Sequence, residues 1–279
     1  DLRDASNPSP AHRLTVRENA VGVLLGNGWY NHQSMAVWDF HRAPWRNRPA
    51  FCLDLKITYD DGSVETVSTD LSWRKSDSPL VFNSIYTAEH YDARLEQEGW
   101  STPGFDDSNW QGVGLRPAPS QNITSQQVRP IRNVLTLPAQ SINKIDEKTY
   151  VYDFGQNMAG VTKIKVSGKE GTELHVKHGE RLHDNGRIDM SNINVYYRGD
   201  EEDDPFQTDI MILSGAGEDE FMARFNYKGF RYVEVTSSEP IELDKHNLTA
   251  YFMHSDVPPI GKIDTSSDLI NKLWWATNN

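Results

Sequence analysis

Val151-Tyr152-Asp153-Phe154-Gly155-Gln156-Asn157-Met158-Ala159-Gly160-Val161 decides how this chain folds. Alternating apolar residues run into a cluster of glycines and side-chain amides, and a second alternation over residues 161–166 follows at once. A period of two marks a half-buried strand, and glycine lets the backbone turn or bulge where other residues resist it. The stretch is therefore predicted to be strand, tight turn or bulge, strand. Phe225-Asn226-Tyr227-Lys228-Gly229-Phe230-Arg231-Tyr232-Val233-Glu234-Val235 repeats the pattern around Gly229.

Working outward, further strands are predicted at residues 149–154, 161–166, 173–178, 209–213, 221–227, 231–236 and 248–253. Turns fall at Lys169-Glu170-Gly171, Asp184-Asn185-Gly186 and Gly215-Ala216-Gly217. Many short strands with no long helical pattern between them imply an antiparallel sandwich or jelly roll. Upstream, residues 14–25 alternate loosely and are predicted to form a buried strand entering Gly26-Asn27-Gly28-Trp29-Tyr30. An aromatic and basic loop follows at 32–49, and then Asp60-Asp61-Gly62 forms a hairpin signal between two apolar runs. Residues 117–138 are rich in Pro, Gln, Asn and Ser, the composition of a connection.

The expected organisation is all-β, with two antiparallel β-sandwich or jelly-roll domains in tandem at 1–138 and 139–257. A linker and the start of an α-helix then occupy 258–279. Ser266-Ser267-Asp268 is an N-cap cluster, and Leu269, Ile270, Leu273 and Trp274 recur at helical spacing.

The 279 residues carry 28 Lys and Arg against 40 Asp and Glu, a net charge of −12. That balance argues against a nucleic-acid or anionic-membrane partner. No apolar run reaches membrane length, which argues against insertion. Cys52 has no second cysteine to pair with, and its apolar neighbours Phe51 and Leu53 predict a buried structural thiol. Adjacent carboxylates at Asp60-Asp61, Asp106-Asp107 and 201–204 are expected to serve turns and solvation. Glu180, Asp184 and Asp189 crowd one stretch but match no calcium loop, and the nine His show no metal-ligand spacing.

An ordered set of short motifs resembles the α-L-rhamnosidases, glycoside hydrolase family 78. The N-terminal β-sandwich of that family is matched by Leu-Gly-Asn-Gly-Trp-Tyr (Leu25 to Tyr30), Tyr-Asp-Asp-Gly (Tyr59 to Gly62) and Ser-Trp-Arg (Ser72 to Arg74). Tyr-Asp-Ala-Arg (Tyr91 to Arg94) before Gly99-Trp100, and Phe105 to Trp110, continue it. The family's concanavalin-like domain is matched by Tyr152 to Gly160, Gly179 to Leu182, Asp184 to Arg187, Phe225 to Val233 and His254 to Asp256.

The resemblance implies a protein that hydrolyses terminal α-L-rhamnose from plant polysaccharides or glycosides, secreted or periplasmic, with no organic cofactor. It implies two carboxylates acting with inversion in a helical barrel of the same chain, expected beyond Asn279. Residues 1–279 would then be inactive accessory domains, with no catalytic residue among them. The other reading is a carbohydrate-binding module acting alone. Calcium in the N-terminal sandwich is implied as an option. Trp29, Tyr30, Trp38 and Trp45 are the candidate sugar-binding residues, with Asn27 beside them. Aromatic faces stack on the C–H side of sugar rings, and an amide can bond hydroxyls. The competing expectation is that these rings pack under the 32–49 loop or against the catalytic barrel, since burial is the usual fate of large aromatics.

Overall fold

The computed structural model describes residues 18–36, 38–118, 120, 122, 124, 126–194 and 204–278. Among the described residues it is all-β, with one α-helix and two short 3-10 helices at Phe40–Arg42 and Ala93–Leu95. The first half holds β1 (Asp54–Thr58), β2 (Val64–Ser68), β3 (Arg74–Lys75), β4 (Leu80–Asn83), β5 (Glu89–Asp92), β6 (Gln111–Gly112), β7 (Ile131–Pro138) and β8 (Ser141–Lys144). The second holds β9 (Thr149–Ser167), β10 (Glu173–Gly179), β11 (Arg181–Leu182), β12 (Ile188–Asp189), β13 (Thr208–Ile212), β14 (Glu218–Met222), β15 (Lys228–Ser237) and β16 (Leu248–Ser255). The chain closes on α1 (Asp268–Asn278), where the N-cap cluster predicts it.

The opening stretch forms a single strand, β9, and the choice between turn and bulge falls to the bulge. Its first part pairs with β8 on one side and β15 on the other, and its last part pairs with β16 and β14. β9 is thus shared by two curled layers, a known way for a strand to make the corner of a sandwich. The corner is built from residues 154–157, which face only Arg231 on β15, because the register jumps from Asp153↔Tyr232 to Met158↔Phe230. Gly155 takes φ +81 there, a value that glycine adopts freely. Asp153 fastens the corner: its Oδ1 accepts the Gly155 N–H at 2.7 Å, and its two oxygens take Arg231 Nε and Nη2 at 2.9 Å each.

The core lies between the layers. Tyr150, Tyr152, Phe154, Leu174, Phe230 and Leu248 are fully buried, and side chains of this size contribute roughly 1.5–3 kcal/mol each. The two tyrosines bury their hydroxyls without loss, because they donate to the carbonyls of Ile241 and Asp244 at 2.8 and 2.9 Å.

The large sheet runs β4-β5-β13-β10-β15-β9-β16-β7, so strand pairing crosses residue 138 at both ends. β7 pairs with β16, and β5 pairs with β13 in parallel, an exception to the expected antiparallel pattern.

Several expectations are corrected. Residues 18–25 form no strand: Val21, Val23 and Leu25 are exposed, while residues 14–17 lie outside the described residues. Close contact replaces a ladder here, since a Cβ on Gly22 would meet the Trp100 ring at 2.3 Å and one on Gly26 the Phe225 ring at 2.4 Å. Cys52 is exposed, because it precedes β1 in a segment with both Phe51 and Cys52 turned to solvent. The strand expected over 221–227 is displaced to Glu218–Met222, and Tyr227 is exposed, whereas Phe230 is core. Two of the adjacent carboxylates serve turns: Asp61 Oδ1 accepts from Ser63 and Asp106 Oδ1 from Ser108, whereas Asp204 is half-buried rather than solvated.

Candidate functional site

The turn at residues 27–31 is closed by the Asn31 N–H on the Asn27 carbonyl (3.0 Å), with Gly28 at φ +53. Asn27 is consumed in holding that turn to β4. Its N–H donates to Asn83 Oδ1 (2.7 Å), its Nδ2 to the Asn83 carbonyl (3.0 Å), and its Oδ1 accepts from Asn31 Nδ2 (2.6 Å). The predicted amide therefore sits at the site as a brace.

The turn presents Trp29 at the centre of an aromatic ridge. Its ring centroid lies 5.3 Å from Phe40, 6.2 Å from Trp38 and 6.2 Å from Tyr86. Trp38 stacks on Phe40 (5.7 Å, 28°), and Trp45 meets Phe40 edge-on at 5.8 Å. Burial under the loop is not what these rings do: Trp38 is 60% exposed, Trp45 55% and Tyr30 51%, with Trp29 at 37%. The rings pack on one another and stay partly exposed, Trp29 least of the four because His32, Trp38, Phe40 and Tyr86 surround it. Under the ridge His32 is fully buried, both ring nitrogens lack a partner, and burial lowers its pKa and favours the neutral ring.

Beside the ridge lies a cleft of about 330 Å³, walled by Trp38, Tyr86 and Phe206 and lined by Glu180, Gln207 and Gly229. Tyr86 and Phe206 stand 5.2 Å apart. Glu180 is held by two side-chain amides, Asn157 Nδ2 on Oε1 (2.9 Å) and Asn192 Nδ2 on Oε2 (2.8 Å). Gln207 Oε1 accepts the Gly229 N–H at 2.9 Å. Among the described residues, Asp39 and Gln207 are the non-glycine positions with positive φ, at 51° and 52°. One follows Trp38 and the other floors the cleft.

Below the cleft the two halves of the chain are tied by buried charge. Lys228 bonds Asp209, Asp209 Oδ1 accepts the Glu89 N–H (2.9 Å), and the Glu89 carboxylate accepts the backbone N–H groups of Arg224 and Phe225. Burial, and then the charge of Asp209, pushes Glu89 up to about 7. His178 is buried between Thr162 Oγ1 (2.8 Å) and the Gln207 carbonyl, and burial brings it down to about 3.

Sequence reasoning finds Trp29, Tyr30, Trp38 and Trp45 on or beside one exposed surface. It misses Tyr86, Phe206 and Gln207 as a group, and it reads Glu180 only as one of three crowded carboxylates that match no calcium loop. These come from distant segments, so no local spacing links them. Among the described residues, no three of His, Cys, Asp and Glu lie close enough together to hold a metal ion.

Residues 11–135 match the model of the α-L-rhamnosidase N-terminal domain, and residues 143–254 match the bacterial α-L-rhamnosidase concanavalin-like domain. An α-L-rhamnosidase of Streptomyces avermitilis is 33% identical over 91% of this chain, which corresponds to 24% of that protein. One from Formosa agariphila is 33% identical over 94% of this chain and 27% of its own length. The chain thus spans about a quarter of the length of these relatives. Among solved structures, the α-L-rhamnosidase from Dictyoglumus thermophilum superposes with a TM-score of 0.76 at 32% identity, covering 89% of this chain and 26% of that one. The Streptomyces avermitilis enzyme complexed with L-rhamnose gives 0.76 at 33% identity, covering 89% and 23%.

Proposed function

Because the chain belongs to the α-L-rhamnosidase family, whose N-terminal and concanavalin-like domains it carries in order, we propose that it is the non-catalytic β portion of a hydrolase acting on terminal α-L-rhamnose in plant polysaccharides or glycosides. Inverting hydrolysis needs one carboxylic acid at the leaving oxygen and one carboxylate at a water on the other face of the sugar. The buried carboxylates here are engaged otherwise. Glu89 and Asp209 bind within the buried network, and Glu234 takes Arg187 at 2.7 Å and the Ile188 N–H at 3.0 Å. In this reading the acid and base belong to a helical barrel of the same protein. The exposed apolar side chains of α1, Leu269, Ile270, Leu273 and Trp275, are the surface assigned to that barrel. A secreted or periplasmic location accompanies the reading.

The observation that carries the accessory role is the ridge itself. Trp38 and Trp45 stay more than half exposed above a folded core, the disposition that offers a ring face to a sugar. The same exposure supports the second reading, a carbohydrate-binding module that works alone. Incubation of residues 1–279 with an aryl α-L-rhamnoside is expected to release no aglycone, and turnover would overturn the accessory role. Titration with L-rhamnose separates sugar binding from a purely structural part. Repeating it with a chelator tests calcium, which in this reading would draw on carbonyl and amide oxygens as well as carboxylates.

A further inference from the structure

We propose that the cleft between the two family domains is a saccharide subsite, in which one neutral pyranose stacks on Trp38 and hydrogen-bonds Glu180 and Gln207. This rests on the carbohydrate reading above and goes beyond it by naming a seat that neither domain holds alone. Trp38 and Tyr86 come from the N-terminal match, whereas Glu180, Phe206, Gln207 and Gly229 come from the concanavalin-like match. Ligand sites favour such junctions, with mostly apolar walls and a few fixed polar groups.

Three observations converge. The first is volume: about 330 Å³ lies within the range of small-molecule sites and suits one sugar ring. The second is preorganisation of the polar groups. The amides of Asn157 and Asn192 each donate to one oxygen of Glu180, so the carboxylate is aimed without being neutralised by a cation. Each oxygen keeps a lone pair for a hydroxyl donor. Gln207 Oε1 is spent on the Gly229 N–H, which leaves Nε2 as a donor toward a ring or hydroxyl oxygen. One acceptor group and one donor at fixed positions is the minimum for reading a hydroxylated ring.

The third observation is strain. Gln207, which lines the cleft, holds left-handed backbone at φ 52, and Asp39, next in the chain to the lining residue Trp38, does so at φ 51. Such residues persist where the surroundings over-determine them, and they gather at ligand clamps. At Gln207 the surroundings are visible. The Gln207 carbonyl accepts the His178 N–H (2.9 Å), and buried His178 and Lys228 lie behind it. The floor of the cleft is therefore set by the buried network joining the domains.

The test is calorimetric titration of the whole chain with L-rhamnose and with methyl α-L-rhamnopyranoside. Wild type is compared with W38A, E180Q, Q207G, the ridge variant W45A and the control L71A, each checked for an unchanged melting curve. Trp38 is exposed and E180Q keeps the shape of its side chain, while Q207G relieves the left-handed backbone but removes the acceptor of the Gly229 N–H, so its melting curve is the one that decides whether its binding is scored. W38A, E180Q and Q207G are expected to weaken binding by about tenfold or more, and L71A, exposed and outside both cleft and ridge, by less than about twofold, as for one ring or charged hydrogen bond lost against none. Binding that survives all three cleft changes, or that follows Trp45, overturns the subsite while leaving the carbohydrate reading intact. No binding of either saccharide by wild type overturns both. Tight binding of tetramethylammonium that excludes the rhamnoside overturns the subsite in favour of an aromatic cation cage.

Discussion

Lys228 Nζ lies 2.8 Å from each carboxylate oxygen of Asp209, and the two side chains are only 2% and 3% exposed. Asn226 Oδ1 takes a third Lys228 proton at 2.5 Å. Asp209 reaches further, to the Glu89 N–H on β5. A buried pair is a poor net source of stability compared with apolar packing, but removing one partner strands the other charge. K228M is therefore expected to cost about 3–5 kcal/mol. The double variant K228M/D209L should recover part of that loss. Urea denaturation of the three proteins measures both numbers. Additive losses would show that the pair is not coupled as the geometry requires.

Glu89 makes this junction sensitive to pH. Its carboxyl is pushed from an ordinary 4.5 up to about 7, by burial first and Asp209 second, with the N–H groups of Arg224 and Phe225 opposing. A raised folded value means that folding favours the protonated form. The contribution is fully present below about 4.5 and is lost as pH rises through about 7. Wild type should thus lose stability relative to E89Q across that window, as read by melting temperature at a series of pH values. A difference that stays flat between pH 4.5 and 7 would show that Glu89 remains charged throughout.

His178 leans the other way. Burial lowers it from 6.5 to about 3, so it folds as the neutral ring. Its contribution is present above 6.5 and is lost as pH falls toward 3. H178Q, which keeps a polar group for Thr162, is expected to flatten the acid limb of the stability profile without moving the neutral one.

The frame of the fold was legible because β9 and β15 carry period-two patterns and their own glycines. Nothing in either pattern says that one strand serves two layers; that follows from the Asp153–Arg231 clasp across the bulge. Leu14 to Leu25 misled because loose alternation marks a strand only where a neighbour completes the ladder, and the described part of this segment has none. Cys52 misled for a related reason, since apolar neighbours do not bury a residue ahead of a two-stranded hairpin. The ridge was legible in part: Trp29 to Trp45 are local in sequence. The cleft was not, because Tyr86, Glu180 and Phe206 meet only through the pairing of β5 with β13 and the placement of Gln207.

Glycine has two different jobs in β9, and substitution should separate them. At Gly160 a Cβ would lie 2.0 Å from the Tyr251 carbonyl oxygen, on the backbone of β16, which cannot turn aside as a side chain does. At Gly155 the added Cβ would meet the Gln140 side chain, which can move, but φ is +81. G160A is expected to cost at least about 1–3 kcal/mol through overpacking. G155A should cost about 1 kcal/mol from the left-handed backbone alone. Chemical denaturation ranks the two, and a cheaper G160A would mean that β16 can back away from β9.

Arg231 and Asp153 set the last expectation. Their side chains are 39% and 26% exposed, so solvent screens the pair and its worth is small. Arg231, aided by the Gly155 N–H and opposed by burial, holds Asp153 below its ordinary 3.8. A depressed folded value places the contribution above 3.8, and it is lost as pH falls through the lower folded value. R231M is thus expected to lower stability by about 1 kcal/mol at pH 7, counting the bidentate geometry and discounting for exposure. The gap between wild type and R231M should close as the solution is acidified below pH 3.8. If it persists unchanged there, the guanidinium braces the corner by packing on Tyr232, whose ring lies 4.9 Å from it, and the carboxylate is incidental.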